Sequence, residues 1–174
     1  MSSKKHPYKI AILGDSGVGK TALIRRFINN DFTENYDPTI EDHYDTSILY
    51  EGKKVHLKII DTAGKDLLPA MRLRHIDSAD AFILAYSVES HESMMSTLQI
   101  LSEIAKRRTV HQIARVLVGC KSDSHYREVS LEEGTDLSAQ LQCSFAETSA
   151  LSDFNVYEVS QRKFFKKYLL RFLF

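Results

Sequence analysis

Gly14-Asp15-Ser16-Gly17-Val18-Gly19-Lys20-Thr21 is the stretch on which the reading of this chain turns. It fits the pattern G-x-x-x-x-G-K-[ST], with an apolar, strand-like run (Tyr8 to Leu13) before it and a helical pattern (Lys20 to Phe27) after it. The glycines let the backbone curl so that successive N–H groups face a phosphate, and the positive end of the following helix adds to the attraction. Anion binding therefore follows from backbone geometry, and all eight residues are candidate phosphate contacts. Lys20 adds a point charge toward the β- and γ-phosphates, and the Thr21 hydroxyl is a candidate ligand for Mg²⁺.

Working outward, short apolar runs alternate with longer helical patterns, the rhythm of βαβ units and a largely parallel sheet. Strands are predicted at Tyr8 to Leu13, Asp80 to Val88, Ala114 to Gly119 and Ser144 to Ala146. Two more meet at the turn signal Tyr50-Glu51-Gly52-Lys53, between Asp45 and Ile60, which makes one edge strand antiparallel. Helices are predicted at Lys20 to Phe27, His91 to Arg107, Ser130 to Leu141 and Asp153 to Arg171. The expectation is an α/β P-loop NTPase domain: a six-stranded, mostly parallel sheet with helices on both faces. Asn29 to Asp42 and Thr62 to Ser78 show no clear periodicity and are read as mobile loops. At the head of the second stands Asp61-Thr62-Ala63-Gly64. It puts a carboxylate at the end of a strand, where open α/β sheets bind ligands. Asp61 is a candidate to hold Mg²⁺ through water, and Gly64, lacking a side chain, can bring its N–H close to a γ-phosphate.

The 174 residues, 43% of them hydrophobic, suit one domain with its own core, read as residues 8 to 171 with short tails at 1 to 7 and 172 to 174. Basic and acidic residues number 23 each, which argues against a nucleic-acid surface. Only Cys120 and Cys143 are present, and the expectation is free thiols in a reducing, cytoplasmic setting. His6, His43, His75, His91 and His125 are scattered along the chain, against a metal cluster.

Further motifs complete the pattern: Phe32, then Tyr36-Asp37-Pro38-Thr39-Ile40-Glu41-Asp42-x-Tyr44, Ala70-Met71-Arg72, Val116-Leu117-Val118-Gly119, Lys121-x-Asp123 and Glu147-Thr148-Ser149-Ala150. Together with the two phosphate motifs they make the chain resemble a Ras-type small GTPase from about Tyr8 to Arg171. The Tyr36 to Tyr44 stretch resembles the Ras branch rather than the Rab, Rho or Arf branches. The resemblance implies a GTP/GDP switch with Mg²⁺ held by Thr21, Thr39 and, through water, Asp61. It implies that Thr39 also offers its N–H to the γ-phosphate, that Phe32 packs on the guanine, and that Lys121 lies along the base. Asp123 would accept the guanine N1 and N2 protons, as a buried carboxylate that a wrong base leaves unpaired. The Ser149-Ala150 backbone would meet O6, and Ala22, Tyr36, Pro38, Cys120 and Leu151 join the nucleotide-contacting set. Lys20, Thr39, Gly64 and Lys65 form the implied catalytic set. Effectors would read the Phe32 to Tyr44 loop, and exchange factors and activating proteins would use both mobile loops of a monomer.

Three positions depart from that family. Lys65 stands where a glutamine usually orients the attacking water. Lysine has no acceptor for a water proton, so slow hydrolysis is expected. Ser16 replaces a glycine of the Ras branch and can crowd an activating protein's arginine. Cys120 replaces an asparagine whose amide joins base and phosphate loop; a thiol is a weak partner, so fast nucleotide exchange is expected. Abundant GTP would then bias the protein toward the loaded state. The alternatives are a constitutively loaded effector-binding module that scarcely hydrolyses GTP and, more remotely, a P-loop kinase or ATPase.

From Val159 to Phe174 the chain carries five basic residues and no acid, and no C-a-a-X lipidation signal follows. On a helical projection Phe164, Phe165, Tyr168, Leu169 and Phe172 share a face. The face reads either as core or as a lipid-free membrane contact at the cytoplasmic side of the plasma membrane, with core the favoured reading.

Overall fold

The computed structural model describes residues 6–33, 39, 41–50, 52–62, 64, 69–109 and 113–156. Along the chain run β1 (Tyr8–Leu13), α1 (Lys20–Asn29), β2 (Glu41–Tyr50), β3 (Lys53–Thr62), α2 (Pro69–Ser78), β4 (Ala81–Ser87), α3 (His91–Arg107), β5 (Ala114–Cys120), α4 (Leu131–Gln140) and β6 (Ser144–Thr148). The six strands form one sheet in the order β2-β3-β1-β4-β5-β6, and only β2 is antiparallel to its neighbour. Tyr50 pairs with Lys53 across a two-residue turn in which Gly52 has φ +77°, a conformation that suits glycine.

Alternation along the central strands sorts side chains to the two faces of the sheet. Ile10, Ile12, Ile83, Ala85, Val116 and Val118 join Leu23 and Ile24 of α1 in one buried cluster. Ala11, Leu13, Phe82, Leu84, Tyr86 and Leu117 join Ile76 of α2, Met94, Ile100 and Ile104 of α3, and Leu137 of α4 in the other. Since both faces are covered, the central strands read as continuous apolar runs. Helix starts are set locally. Ser90 accepts from the Ser93 N–H to cap α3, and Ser130 forms a reciprocal capping box with Glu133 on α4.

The structure corrects the sequence reading at three places. The second expected loop contains helix α2. This helix buries Ile76 and His75 and is tied to α3 by the two-pronged Arg72–Glu103 pair, at 2.8 and 2.9 Å. Arg108 adds bonds to the carbonyls of Ile76 and Ala79. A helix docked by ion pairs and by little apolar surface, Ile76 buried and Leu73 partly so, leaves little periodic signal. The first expected loop ends earlier than read, because Glu41 and Asp42 already pair with Thr62 and Asp61. The last helix does not begin at Asp153: Asp153 and Asn155 have φ of +62° and +55°, incompatible with a right-handed helix. Residues 157–174, with the proposed amphipathic face, lie outside the described residues.

Candidate functional site

The C-terminal ends of β1, β3, β4, β5 and β6 converge on a cavity of about 490 Å³. Its walls carry Ser16, Gly17, Gly19, Lys20, Thr21 and Ala22 from the first motif, Phe32 and Thr39, Gly64, then Cys120, Lys121, Asp123, Ala150 and Leu151. Fourteen candidates scattered over the sequence thus face one space.

The phosphate loop is shaped by glycines with specific reasons to be glycine. A Cβ on Gly14 would sit 2.1 Å from the Ala85 carbonyl oxygen of β4, and Gly19, the N-cap of α1, has φ +111°. Gly64 lies so close to the loop that a Cβ there would come within 2.1 Å of the Ser16 nitrogen. The loop that follows β3 is thereby in backbone contact with the phosphate loop. Lys20 is 6% exposed, and its ammonium donates to the carbonyls of Gly14 at 3.0 Å and Asp15 at 2.7 Å. Burial lowers its pKa, with the nearby Asp61 carboxylate opposing that shift.

Asp61 is fully buried, and neither carboxylate oxygen meets a hydrogen-bonding partner. Burial raises its pKa; the Thr21 hydroxyl and then the Lys20 ammonium oppose the shift, Thr21 without meeting hydrogen-bond geometry. The Thr21 and Thr39 hydroxyls lie 2.8 Å apart. An orphaned buried carboxylate beside two converging hydroxyls is a donor set of hard oxygens, which fits Mg²⁺.

At the other end, Cys120 terminates β5, buried against the phosphate loop: a Cβ on Gly19 would lie 3.2 Å from its Cβ. Burial pushes its thiol up to about 11, so it stays a neutral thiol at physiological pH. Lys121, at φ +61°, donates to Glu89 at 2.8 Å. Lys121 is thus paired with a carboxylate at the pocket wall, where the resemblance has it lying along a base. Asp123 is exposed rather than buried, so its power to reject a wrong base requires the base itself to cover it. Of the Ser149-Ala150 pair, Ala150 lines the cavity, whereas Ser149 is buried and its N–H is taken by the Phe154 carbonyl at 3.0 Å. Val18 points into the core, and Gly14 and Asp15 face a smaller cavity behind the loop. Tyr36, Pro38 and Lys65 lie outside the described residues.

Sequence reasoning missed Arg26 and Glu89. From α1, Arg26 donates to the carbonyls of Ala150 at 2.7 Å and Leu151 at 3.2 Å, and its guanidinium stands 5.9 Å from the centre of the Phe32 ring. It ties together residues 32, 150 and 151 of the base end. Arg25, Thr33, Ser124 and Thr148 also line the cavity. Thr148 lies in the Glu147-Thr148-Ser149-Ala150 motif and the others lie in none; an arginine on a helix surface reads as a solvated charge until the fold brings loops 124 residues away beneath it.

Comparison with known proteins agrees with this geometry. The model of the Ras family matches residues 9–167. The chain is 37% identical over 161 residues to the GTP-binding protein Rit2 of Mus musculus, covering 92% of this chain and 74% of that protein. It is 39% identical over 150 residues to the small monomeric GTPase RhbA of Aspergillus fumigatus, with 85% and 80% covered. To Ras-like protein 1 of Saccharomyces cerevisiae it is 41% identical over 152 residues, with 87% of this chain and 49% of that longer protein covered. Proteins of the Ras family bind GTP or GDP with Mg²⁺, hydrolyse GTP, and switch through effectors, exchange factors and activating proteins. By the extent of the match, by the sheet order and by the motifs gathered at one cavity, this chain belongs to the Ras family.

Proposed function

We propose that the protein is a GTP/GDP switch with a well-kept phosphate grip, slow intrinsic hydrolysis and fast nucleotide exchange. The observation that carries the reading is the continuity of the cavity: phosphate loop, threonine pair and base loops open onto one space of nucleotide size. Backbone N–H groups from Ser16 to Thr21 and the Lys20 ammonium bind the phosphates, held in advance by the Gly14 and Asp15 carbonyls. Thr21, Thr39 and, through water, Asp61 would hold Mg²⁺, which neutralises charge on the β- and γ-phosphates when bound. Asp123 accepts from the guanine edge, Ala150 faces O6, and Phe32 packs on the base under the Arg26 guanidinium.

The off-step is the weak half. Lys65 offers no acceptor to orient water, and Ser16, exposed at the loop, narrows the approach of an external arginine. Cys120 leaves a neutral thiol where an amide would join base and loop. Replacing Cys120 with asparagine should slow GDP release about tenfold, the worth of one hydrogen bond to base or loop, in a fluorescent-nucleotide chase. Effectors would read the Phe32 to Tyr44 segment, and regulators the 29–42 and 62–78 segments. The proposed setting is the cytoplasm, with the basic, aromatic 159–174 segment as a candidate contact for the inner face of the plasma membrane.

The nucleotide that copurifies with the protein, released by acid and resolved by ion-exchange chromatography, tests this reading. Mostly GTP is the expected result. Mostly GDP would indicate a working hydrolase and overturn the slow off-step.

A further inference from the structure

Glu89 lies between β4 and α3, half-buried in the cavity wall, and both its carboxylate oxygens are engaged by the base loop. One oxygen accepts from the Lys121 ammonium at 2.8 Å and the other from the Ser124 hydroxyl at 2.7 Å. Lys121 and Ser124 bound the four-residue turn that contains Asp123, and the Ser124 N–H closes that turn on the Lys121 carbonyl at 2.9 Å. Lys121 itself sits at φ +61°, a conformation that a residue with a side chain keeps only when its surroundings hold it. A second tie runs from the Ser122 N–H to the Thr148 carbonyl at 3.1 Å. The Lys121 ammonium and then the Ser124 hydroxyl hold the Glu89 carboxyl below its ordinary pKa, so it is ionised at neutral pH.

We propose that Glu89 is a positioning residue for base selection: by gripping both ends of the 121–124 turn, its carboxylate aims Asp123 at the base edge. This rests on the reading of the cavity as a guanine site. Glu89 touches no reacting atom in this role; it acts through the turn. The physical requirement is directional. Asp123 is exposed and its carboxylate takes no hydrogen bond among the described residues, while two donors from a guanine edge demand a carboxylate held within a narrow range of orientations.

Glu89→Gln tests the proposal with little change of shape. The glutamine oxygen can still accept from Ser124, but its amide nitrogen has nothing to offer the Lys121 ammonium, so one end of the turn is freed. GDP and inosine diphosphate, which lacks the 2-amino group, are each competed against a fluorescent GDP analogue in Mg²⁺ buffer. In the variant, the preference for GDP over inosine diphosphate should fall about 2- to 5-fold, as the loss of a half-exposed ion pair implies. Ser124→Ala, freeing the other end, should move the same ratio in the same direction. A merely structural role would weaken both nucleotides equally. An unchanged ratio in Glu89→Gln overturns the proposal while leaving the guanine site intact. Failure of the wild-type protein to bind GDP at all would overturn the guanine reading and this inference with it.

Discussion

The two ends of the nucleotide cavity are built by different means. At the end proposed for the phosphates the groups offered to a ligand are mostly backbone, with Gly14 and Gly64 packed where a Cβ would meet backbone atoms and with carbonyls that hold Lys20. At the base end the loops are held by side chains reaching across the fold: Arg26 to residues 150 and 151, Glu89 to Lys121 and Ser124, Arg127 to the buried Glu147 at 2.7 and 2.9 Å. Backbone geometry is insensitive to most substitutions, so the first motif keeps its form around Ser16. A side-chain framework shifts with each replacement. It is here that the effect proposed for Cys120 falls and that the Glu89 carboxylate grips Lys121 and Ser124.

The contrast is most easily broken at Gly14. Gly14→Ala places a methyl group against the Ala85 carbonyl, and β1 and β4 cannot separate without disturbing the sheet. A loss of about 3 kcal/mol or more in denaturant unfolding is expected, with loss of nucleotide binding. Arg26→Ala should act more gently and only at the base end. Losing the two charged hydrogen bonds to the carbonyls of Ala150 and Leu151 and the contact with Phe32 should cost about 1.5 to 3 kcal/mol of GDP affinity, measured by fluorescence competition, while the fold persists. An equal loss of stability in the nucleotide-free protein would show that Arg26 props up the core instead.

At Asp61, buried with both carboxylate oxygens unpartnered among the described residues, the phosphate end itself carries a cost when no cation is bound. Asp61→Asn should raise the stability of the nucleotide- and metal-free protein by about 1 kcal/mol and abolish stabilisation by added Mg²⁺. The pH dependence has the same origin. Burial raises the folded carboxyl above its unfolded value near 3.8, so the folded state takes up the proton first. This group's stabilising contribution is complete below 3.8 and fades as pH rises through the raised folded value. In Asp61→Asn that component of the pH profile should vanish.

These differences also explain what could be read from the residues alone. The sheet, its single antiparallel edge and the phosphate loop were legible because short apolar runs, Gly52 and the Gly14-to-Thr21 pattern are local signals. Asp61 and Thr21 were legible as chemistry, since a metal needs oxygen donors of that kind, whereas Thr39 was implied only by the resemblance to the family. Helix α2 was not, because Arg72 meets Glu103 only after folding. Neither were Arg26 and Glu89, whose partners lie 124 and 32 positions away and whose role is to hold other residues in place. Asp123 was legible as a base contact from its motif, whereas its exposure was not, since that depends on how the fold places the surrounding turn.

The proposed switch keeps its phosphate grip while its hydrolysis is slow, and single-turnover hydrolysis of GTP-loaded protein tests this. Wild type and Lys65→Gln are loaded with GTP, freed of excess nucleotide and followed by phosphate release in Mg²⁺. The account predicts slow release from the wild type and a gain of at least about tenfold from glutamine, which restores an acceptor for the attacking water. Equal rates in the two proteins would contradict it.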